Sequence, residues 1–142
     1  SLSFKPTPDH NIYVSFSQGF KGGGFDPRGV GVNAPDSNGN GVREDSEIAA
    51  FLGFRPESVD SYEIGYKASL FDRRLSLALA AFRMDYSDVQ SPGSSGCVVN
   101  GIATFCGVIT NAGKARFQGL ELEATARVGD ALTLSGALGY ID

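Results

Sequence analysis

The feature that most constrains this chain is a two-residue period of apolar and polar side chains that recurs in long segments. In Asn11–Phe20, Ile12, Val14, Phe16 and Phe20 share one face, and Tyr13, Ser15, Ser17 and Gly19 share the other. In Ser58–Leu70, Tyr62, Ile64, Tyr66, Ala68 and Leu70 alternate with Ser61, Glu63, Gly65, Lys67 and Ser69. Phe117–Val128 sets Leu120, Leu122, Ala124, Ala126 and Val128 against Glu121, Glu123, Thr125 and Arg127. Leu132–Ile141 sets Leu132, Leu134, Leu138 and Tyr140 against Thr133, Ser135, Ala137 and Gly139. Such a period puts successive side chains on opposite faces of a β-strand. Leu75–Val89 is less regular: Leu75, Leu77 and Leu79 start on one face, whereas Phe82, Met84 and Tyr86 take the other. A bulge near Ala80-Ala81 would reconcile them.

The reversals between these segments alternate in length. Phe71-Asp72-Arg73-Arg74 and Gly129-Asp130 are short turns, whereas the chain makes long Gly-rich excursions to Pro56 and to Thr110. Short turns alternating with long loops build an up-and-down barrel whose ends face different compartments, as in outer-membrane barrels. Strands of about ten residues suit a tilted membrane crossing. The charged face would then line the lumen, because Lys or Arg against lipid costs roughly 2–4 kcal/mol at midplane. Tyr62, Tyr66, Phe71, Phe82, Tyr86 and Tyr140 fall toward strand ends, where aromatic girdles sit. No apolar run approaches the roughly 18 residues of a membrane helix. The chain has 142 residues, opens without Met or a signal peptide, and starts and stops inside strand-like sequence. It therefore reads as a section of a larger barrel. The alternation by itself also fits a soluble β-sandwich.

The first excursion carries the sharpest chemical motif. Asp36 to Glu47 matches the calcium-loop pattern D-x-[DN]-x-[DN]-G-x5-E at every specified position. Calcium takes six to eight oxygens in flexible geometry. Asp36, Asn38 and Asn40 supply side-chain oxygens at loop positions 1, 3 and 5, and Gly41 permits the sharp turn. Val42 offers its carbonyl, Glu44 acts through a water, and Glu47 closes the site with both oxygens. The preceding segment, with its Gly29, Gly31 and Pro35, is a poor helix former, while a short exit helix fits Ser46–Leu52. The expected role of calcium is to stiffen an exposed loop. The alternative is a solvated Asn/Gly/Asp turn.

The second excursion holds both cysteines, Cys97 and Cys106. An even count in an exported protein reads as a disulfide. Asn100-Gly101 is a strong signal for a two-residue hairpin turn. Such a turn would pair Val99 with Ile102 and leave the cysteines out of register, so the disulfide calls for a four-residue loop, Asn100–Ala103, or a bulge. Val98, Val99, Ile102 and Phe105 are expected to pack within the hairpin.

Catalytic chemistry finds little footing. Lys21-Gly22-Gly23-Gly24 lacks the Lys-Ser/Thr and helix of a phosphate loop. Glu121 and Glu123 share a strand face without a partner from another strand. His10, the only histidine, has no nucleophile near it in sequence and reads as a turn residue. The net charge of −4 and the scattered Lys and Arg argue against nucleic acid.

Four stretches together resemble the TonB-dependent outer-membrane receptors. They are Tyr13–Phe25 with its Gln18-Gly19-Phe20-Lys21-Gly22-Gly23-Gly24-Phe25, Arg55–Lys67, Ala81–Gln90, and Asn111-Ala112-Gly113 through Gln118-Gly119-Leu120-Glu121-Leu122-Glu123. The resemblance implies an all-β fold, a Gram-negative outer-membrane barrel of about 22 antiparallel strands with a plug in its lumen. Residues 1–142 would supply about five or six of those strands and two long extracellular loops, 21–56 and 90–111, without the plug. It implies import of a scarce ligand, a ferric siderophore first, cobalamin or a carbohydrate next, driven by a TonB complex acting on the plug. Membrane lipid would be the other partner. A passive outer-membrane pore and a soluble calcium-binding module for adhesion or carbohydrate binding stand as alternatives.

Overall fold

The computed structural model describes all of residues 1–142. Ten strands and one helix follow in the order β1 (Leu2–Thr7), β2 (His10–Lys21), β3 (Gly24–Phe25), α1 (Asp45–Leu52), β4 (Gly53–Phe54), β5 (Glu57–Leu70), β6 (Leu75–Ser87), β7 (Gln90–Val99), β8 (Ile102–Asn111), β9 (Lys114–Val128) and β10 (Leu132–Ile141). A single 3-10 turn occupies Gly31–Asn33. The chain divides into two compact units, one of residues 1–19, 59–85 and 115–142, the other of residues 20–58 and 86–114. No helix is long and apolar enough to cross a membrane.

The long strands form one six-stranded sheet in the order β1-β2-β5-β6-β9-β10. Neighbours in the sheet follow one another in the chain, with the two excursions inserted between them. The strand-like sequence at the start forms β1, where Leu2 and Phe4 pair with Val14 and Ile12 and extend the alternation to the edge. The short turn at 71–74 is closed by the Arg74 N–H donating to the Phe71 carbonyl. Phe71, Asp72 and Arg73 all take positive φ there, the handedness that matches the twist of a hairpin.

Register sorts the side chains cleanly. Leu120, Leu122, Ala126 and Val128 face Tyr140, Leu138, Leu134 and Leu132, while Glu121, Glu123 and Thr125 face Gly139, Ala137 and Ser135. On the apolar face Leu2, Phe4, Phe16, Ile64, Leu120 and Leu138 are exposed, and Ala68 is the one buried apolar residue of this unit. The unit is thus a single layer whose apolar face no second layer covers. Phe16 packs on Tyr62 at 5.1 Å between centroids, and His10 stacks on Tyr66 with a 2.6 Å hydrogen bond between Nδ1 and the phenol oxygen. His10 is thus the first residue of a strand, not a turn residue.

On the polar face, the Tyr13 hydroxyl donates to Glu63 at 2.6 Å, and the Lys67 ammonium lies 5.5 Å from the Tyr13 ring centre. Tyr13 lies over Gly65, so a Cβ there would enter the ring. Phe82 lies over Gly119 in the same way. That cover explains the irregular phase of β6. The Arg127 N–H donates to the Arg74 carbonyl, Phe82 meets Gly119, and Asp85 meets Arg116, all in one constant antiparallel register. No residue is inserted near Ala80, and the expected bulge is absent. Phe82 points to the polar face because a glycine opposite it leaves an aromatic-sized recess.

The second unit contains the hairpin expected at Asn100-Gly101, and it runs the whole length of the excursion at 90–111, with β7 and β8 paired from Gln90↔Asn111 to Val99↔Ile102. The excursion at 21–56 is tied near its ends by β3 and β4, where Gly24 pairs with Phe54 and Phe25 with Gly53.

Candidate functional site

The second unit gathers the motifs singled out in the sequence, and a polar clasp holds its base. Gln90 is buried, and its Nε2 donates to the carbonyls of Gly22 at 2.9 Å and Arg55 at 3.1 Å. Its backbone N–H donates to Glu57 at 2.8 Å. Asn111, which pairs with Gln90 across the hairpin, accepts the Arg55 N–H at 2.8 Å and donates to the carbonyls of Arg55 and Asp88. Two side-chain amides therefore knit both ends of the first excursion to the foot of the second. A buried amide is stable only when its bonds are made, and these are.

Within the first excursion, Asp26 is almost fully buried and accepts from the Arg28 backbone N–H, Nε and Nη2 at 2.9–3.0 Å. Those bonds to Arg28 hold its carboxyl below the ordinary aspartate range and raise the guanidinium in turn. Helix α1 begins with a reciprocal cap in which Glu44 and Glu47 exchange side-chain and backbone bonds. Ile48 and Leu52, one turn apart, lie against Gly31 and Gly29, where a Cβ would collide with them. The helix therefore seats on a glycine-lined surface and leaves its other face outward. This is the exit helix expected after the calcium motif, one residue longer at its start.

The motif itself folds as a tight oxygen-rich loop. Asp36 Oδ1 accepts the N–H groups of Gly39 and Asn40, and Oδ2 accepts that of Gly41. Asn38 Oδ1 accepts from the Asn40 N–H and Asn40 Oδ1 from the Val42 N–H. Glu44 receives both side-chain amides, Asn38 at 2.8 Å and Asn40 at 2.7 Å, while Glu47 reaches back to the Ser37 N–H at 2.6 Å. Gly39 and Gly41 take positive φ, as turns this tight require. The structure thus brings Asp36, Asn38, Asn40, Glu44 and Glu47 into one network, and Val42 joins it through its N–H. The donor set fits a hard cation, being all oxygen, and carbonyl-type oxygens that accept one N–H keep a second lone pair. No three acidic side chains converge on a common point.

The hairpin carries the disulfide, Cys97–Cys106, with Cα atoms 5.8 Å apart. The expected longer turn is not used. Asn100 and Gly101 both take positive φ and form a strict two-residue turn, with Val99 opposite Ile102 and Cys97 opposite Thr104. The cysteines bond diagonally instead. Twist in a two-stranded ribbon shortens one diagonal enough for a disulfide to span it. The Asn33 side chain pairs with Val98, accepting its N–H at 3.0 Å and donating to its carbonyl at 3.4 Å. Arg28 packs over Gly107. The apolar residues near the tip do not pack inward as expected: Ile102 is 70% and Phe105 79% exposed.

All of residues 1–142 match the family model described as TonB dependent receptor-like, beta-barrel. The chain belongs to this family. Over 140 residues it is 29% identical to the metal-pseudopaline receptor CntO of Pseudomonas aeruginosa, covering 98% of this chain and 15% of that protein. Over 141 residues it is 26% identical to the probable TonB-dependent siderophore receptor PiuA of Acinetobacter baumannii, covering 99% of this chain and 16% of that protein. The chain thus spans about a sixth of the length of these relatives. TonB-dependent receptors are transport proteins of the Gram-negative outer membrane, not enzymes, and the chain is placed there with them. The apolar face of the six-stranded sheet is accordingly a lipid face of a β-barrel section, and the soluble-module alternative falls away.

For a receptor of this family the sequence missed Gln90, Asn111, Asn33 and the Asp26–Arg28 pair. Asp26-Pro27-Arg28 is a local signal, since a carboxylate two residues before an arginine can fork onto it. Gln90 and Asn111 gave no local signal, because their partners lie 23 to 69 residues away.

Proposed function

We propose that this chain forms wall and outer loops of a receptor that imports a chelated metal ion, a siderophore-type complex, with energy delivered by TonB through a plug. The observation that carries this reading is the match to CntO and PiuA over nearly the whole chain, loops included. Excursions 21–56 and 90–111 are extracellular in this reading, and exposed Ile102 and Phe105 border the ligand's path. The test is uptake by cells expressing the full-length parent protein, supplied with labelled ferric siderophores, other chelated transition metals and cobalamin, with and without a protonophore. Accumulation of a metal chelate that collapses with the proton gradient supports the reading. Accumulation indifferent to the gradient identifies a passive pore and overturns it.

We further propose calcium as a structural ion of the first loop, held by Asp36, Asn38, Asn40, the Val42 carbonyl, Glu44 through a water, and Glu47. When bound it would supply charge neutralisation and rigidity, and no chemistry on the ligand. Ordering the loop beforehand lowers the entropy lost on binding. Isothermal titration of the parent protein with calcium alone is expected to show one site that Glu47→Gln weakens at least tenfold. Undiminished affinity in that variant refutes the assignment. If Glu47→Gln removes calcium and leaves chelate affinity unchanged, the ion has no part in recognition.

A further inference from the structure

The apolar face of the six-stranded sheet changes character abruptly at one end. Gln18 on β2 donates to Asp60 on β5 at 2.8 Å. On β6, Asp85 accepts from Arg83 Nε at 2.8 Å and from Arg116 Nε of β9 at 2.6 Å. On β9, the Gln118 amide lies 3.5 Å from Asp142, which follows β10. These residues continue the same alternate positions as Val14, Phe16, Tyr62, Leu79, Leu120 and Leu138, so they share the lipid face. They lie where β2 and β6 end and β5 and β9 begin. One residue pair inside them lie the Phe16–Tyr62 aromatic pair and Tyr140 opposite Leu120.

A row of aromatics followed by a row of charges marks the hydrocarbon boundary, where the cost of a lipid-facing Arg falls from roughly 2–4 kcal/mol at midplane to about 0–1. At that depth the charged groups of lipids are phosphates. Arg83 and Arg116 present two guanidinium charges to one carboxylate, which leaves an excess of +1 at the trio. Their side chains are 48% and 56% exposed, against 30% for Asp85. Asp85 thus acts as a pin that holds two planar donors side by side, Arg83 through Nε and Nη2 and Arg116 through Nε, and neutralises only one of their two charges. Guanidinium pairs recognise phosphate through forked N–H donors, which a lysine would not reproduce.

We propose that Arg83 and Arg116, positioned by Asp85, form a binding site for the phosphate of a membrane-lipid headgroup on the outer wall of the barrel. The proposal rests on the barrel reading of the sheet and on the long excursions lying outside. It goes beyond transport, since the site lies on the face away from the lumen.

The parent protein would be purified in detergent and examined by native mass spectrometry with lipid A, dephosphorylated lipid A and phosphatidylglycerol. A lipid phosphate site predicts retention of lipid A about tenfold above its dephosphorylated form, and loss of that preference in the double variant Arg83→Gln, Arg116→Gln. Asp85→Asn, which keeps both arginines but frees them, is expected to weaken retention several-fold, not abolish it. Equal retention by wild type and double variant overturns the site. Displacement of lipid A by millimolar inorganic phosphate would show that free phosphate is the occupant and overturn the lipid assignment. A fluorophore on Leu122→Cys, read with quencher-bearing lipids, keeps the two readings apart. Quenching there without any lipid preference rejects the site alone, whereas no quenching rejects the barrel wall on which it rests.

Discussion

Replacing Gln90 by Met tests what holds the loop unit together. Met matches the length of the side chain and keeps the Gln90 backbone bond to Glu57, but removes both amide donors. The Arg55 carbonyl retains the Asn111 amide at 2.9 Å, so that loss is one ordinary bond of about 1 kcal/mol. The Gly22 carbonyl loses its 2.9 Å donor, but Gly22 is exposed and water can take the donor's place, so this too is one ordinary bond of about 1 kcal/mol. The 3.5 Å approach to Lys21 is too long to add anything. The sum, about 2 kcal/mol, multiplies local opening roughly 30-fold at a tenfold change per 1.4 kcal/mol. Hydrogen exchange of the parent protein, followed on peptides around residues 21–25 and 53–57, reads that opening directly. The strands of the six-stranded sheet serve as an internal control. Gln90→Glu sharpens the test, because an ionised carboxylate would face two carbonyls, and acidification should restore one donor. Exchange within threefold of wild type in Gln90→Met would falsify the clasp, leaving β3–β4 and Asn111 as the true fastening.

Gly65→Val pushes methyl groups into the Tyr13 ring and displaces its 2.6 Å bond to Glu63; overpacking of this kind costs about 1–3 kcal/mol, measurable as a lowered denaturant midpoint of the barrel. Removing the disulfide by Cys97→Ala with Cys106→Ala frees a crosslink of sequence separation 9 and should loosen the hairpin by about 2.5–3 kcal/mol, seen as faster exchange between Gln90 and Asn111. Asp26 has a folded pKa below its ordinary 3.8, so its contribution is complete above that value and is lost as pH falls through the lowered one. Protection around residues 26–34 should therefore decline only in that acid range. Asp26→Asn should abolish the decline, and a wild-type decline already under way near neutral pH would contradict the assignment.

Period two is what made the barrel wall legible, because alternation is a local property and needs no knowledge of partners. Leu132–Ile141 was read to the residue, and Ser58–Leu70 to within one. Reading failed where a side chain answered to something distant. Phe82 broke the phase because Gly119, on another strand, left a recess for it. The hairpin's turn was legible at Asn100-Gly101 but its length was not, because Ser91, Pro92, Gly93, Ser94, Ser95 and Gly96 have a loop-like composition, yet the turn and the disulfide hold them in register. The disulfide partners were correct and their geometry was not, since the reading allowed only directly opposed cysteines. The closeness of Asp36, Asn38, Asn40, Glu44 and Glu47 was legible because all of them lie within twelve residues, Asp36 to Glu47.

Tyr13 over Gly65 and Phe82 over Gly119 share one geometry, an aromatic ring laid across a glycine on the polar face. A ring standing upright on the wall would project by most of its length. Laid flat in a glycine recess, it projects by little more than its own thickness. The wall is thereby inlaid, not studded: it keeps the stiffness of aromatic cross-strand contacts while leaving the bore almost as wide as if those positions carried small residues. Clearance, and not only cohesion, is what the two glycines provide.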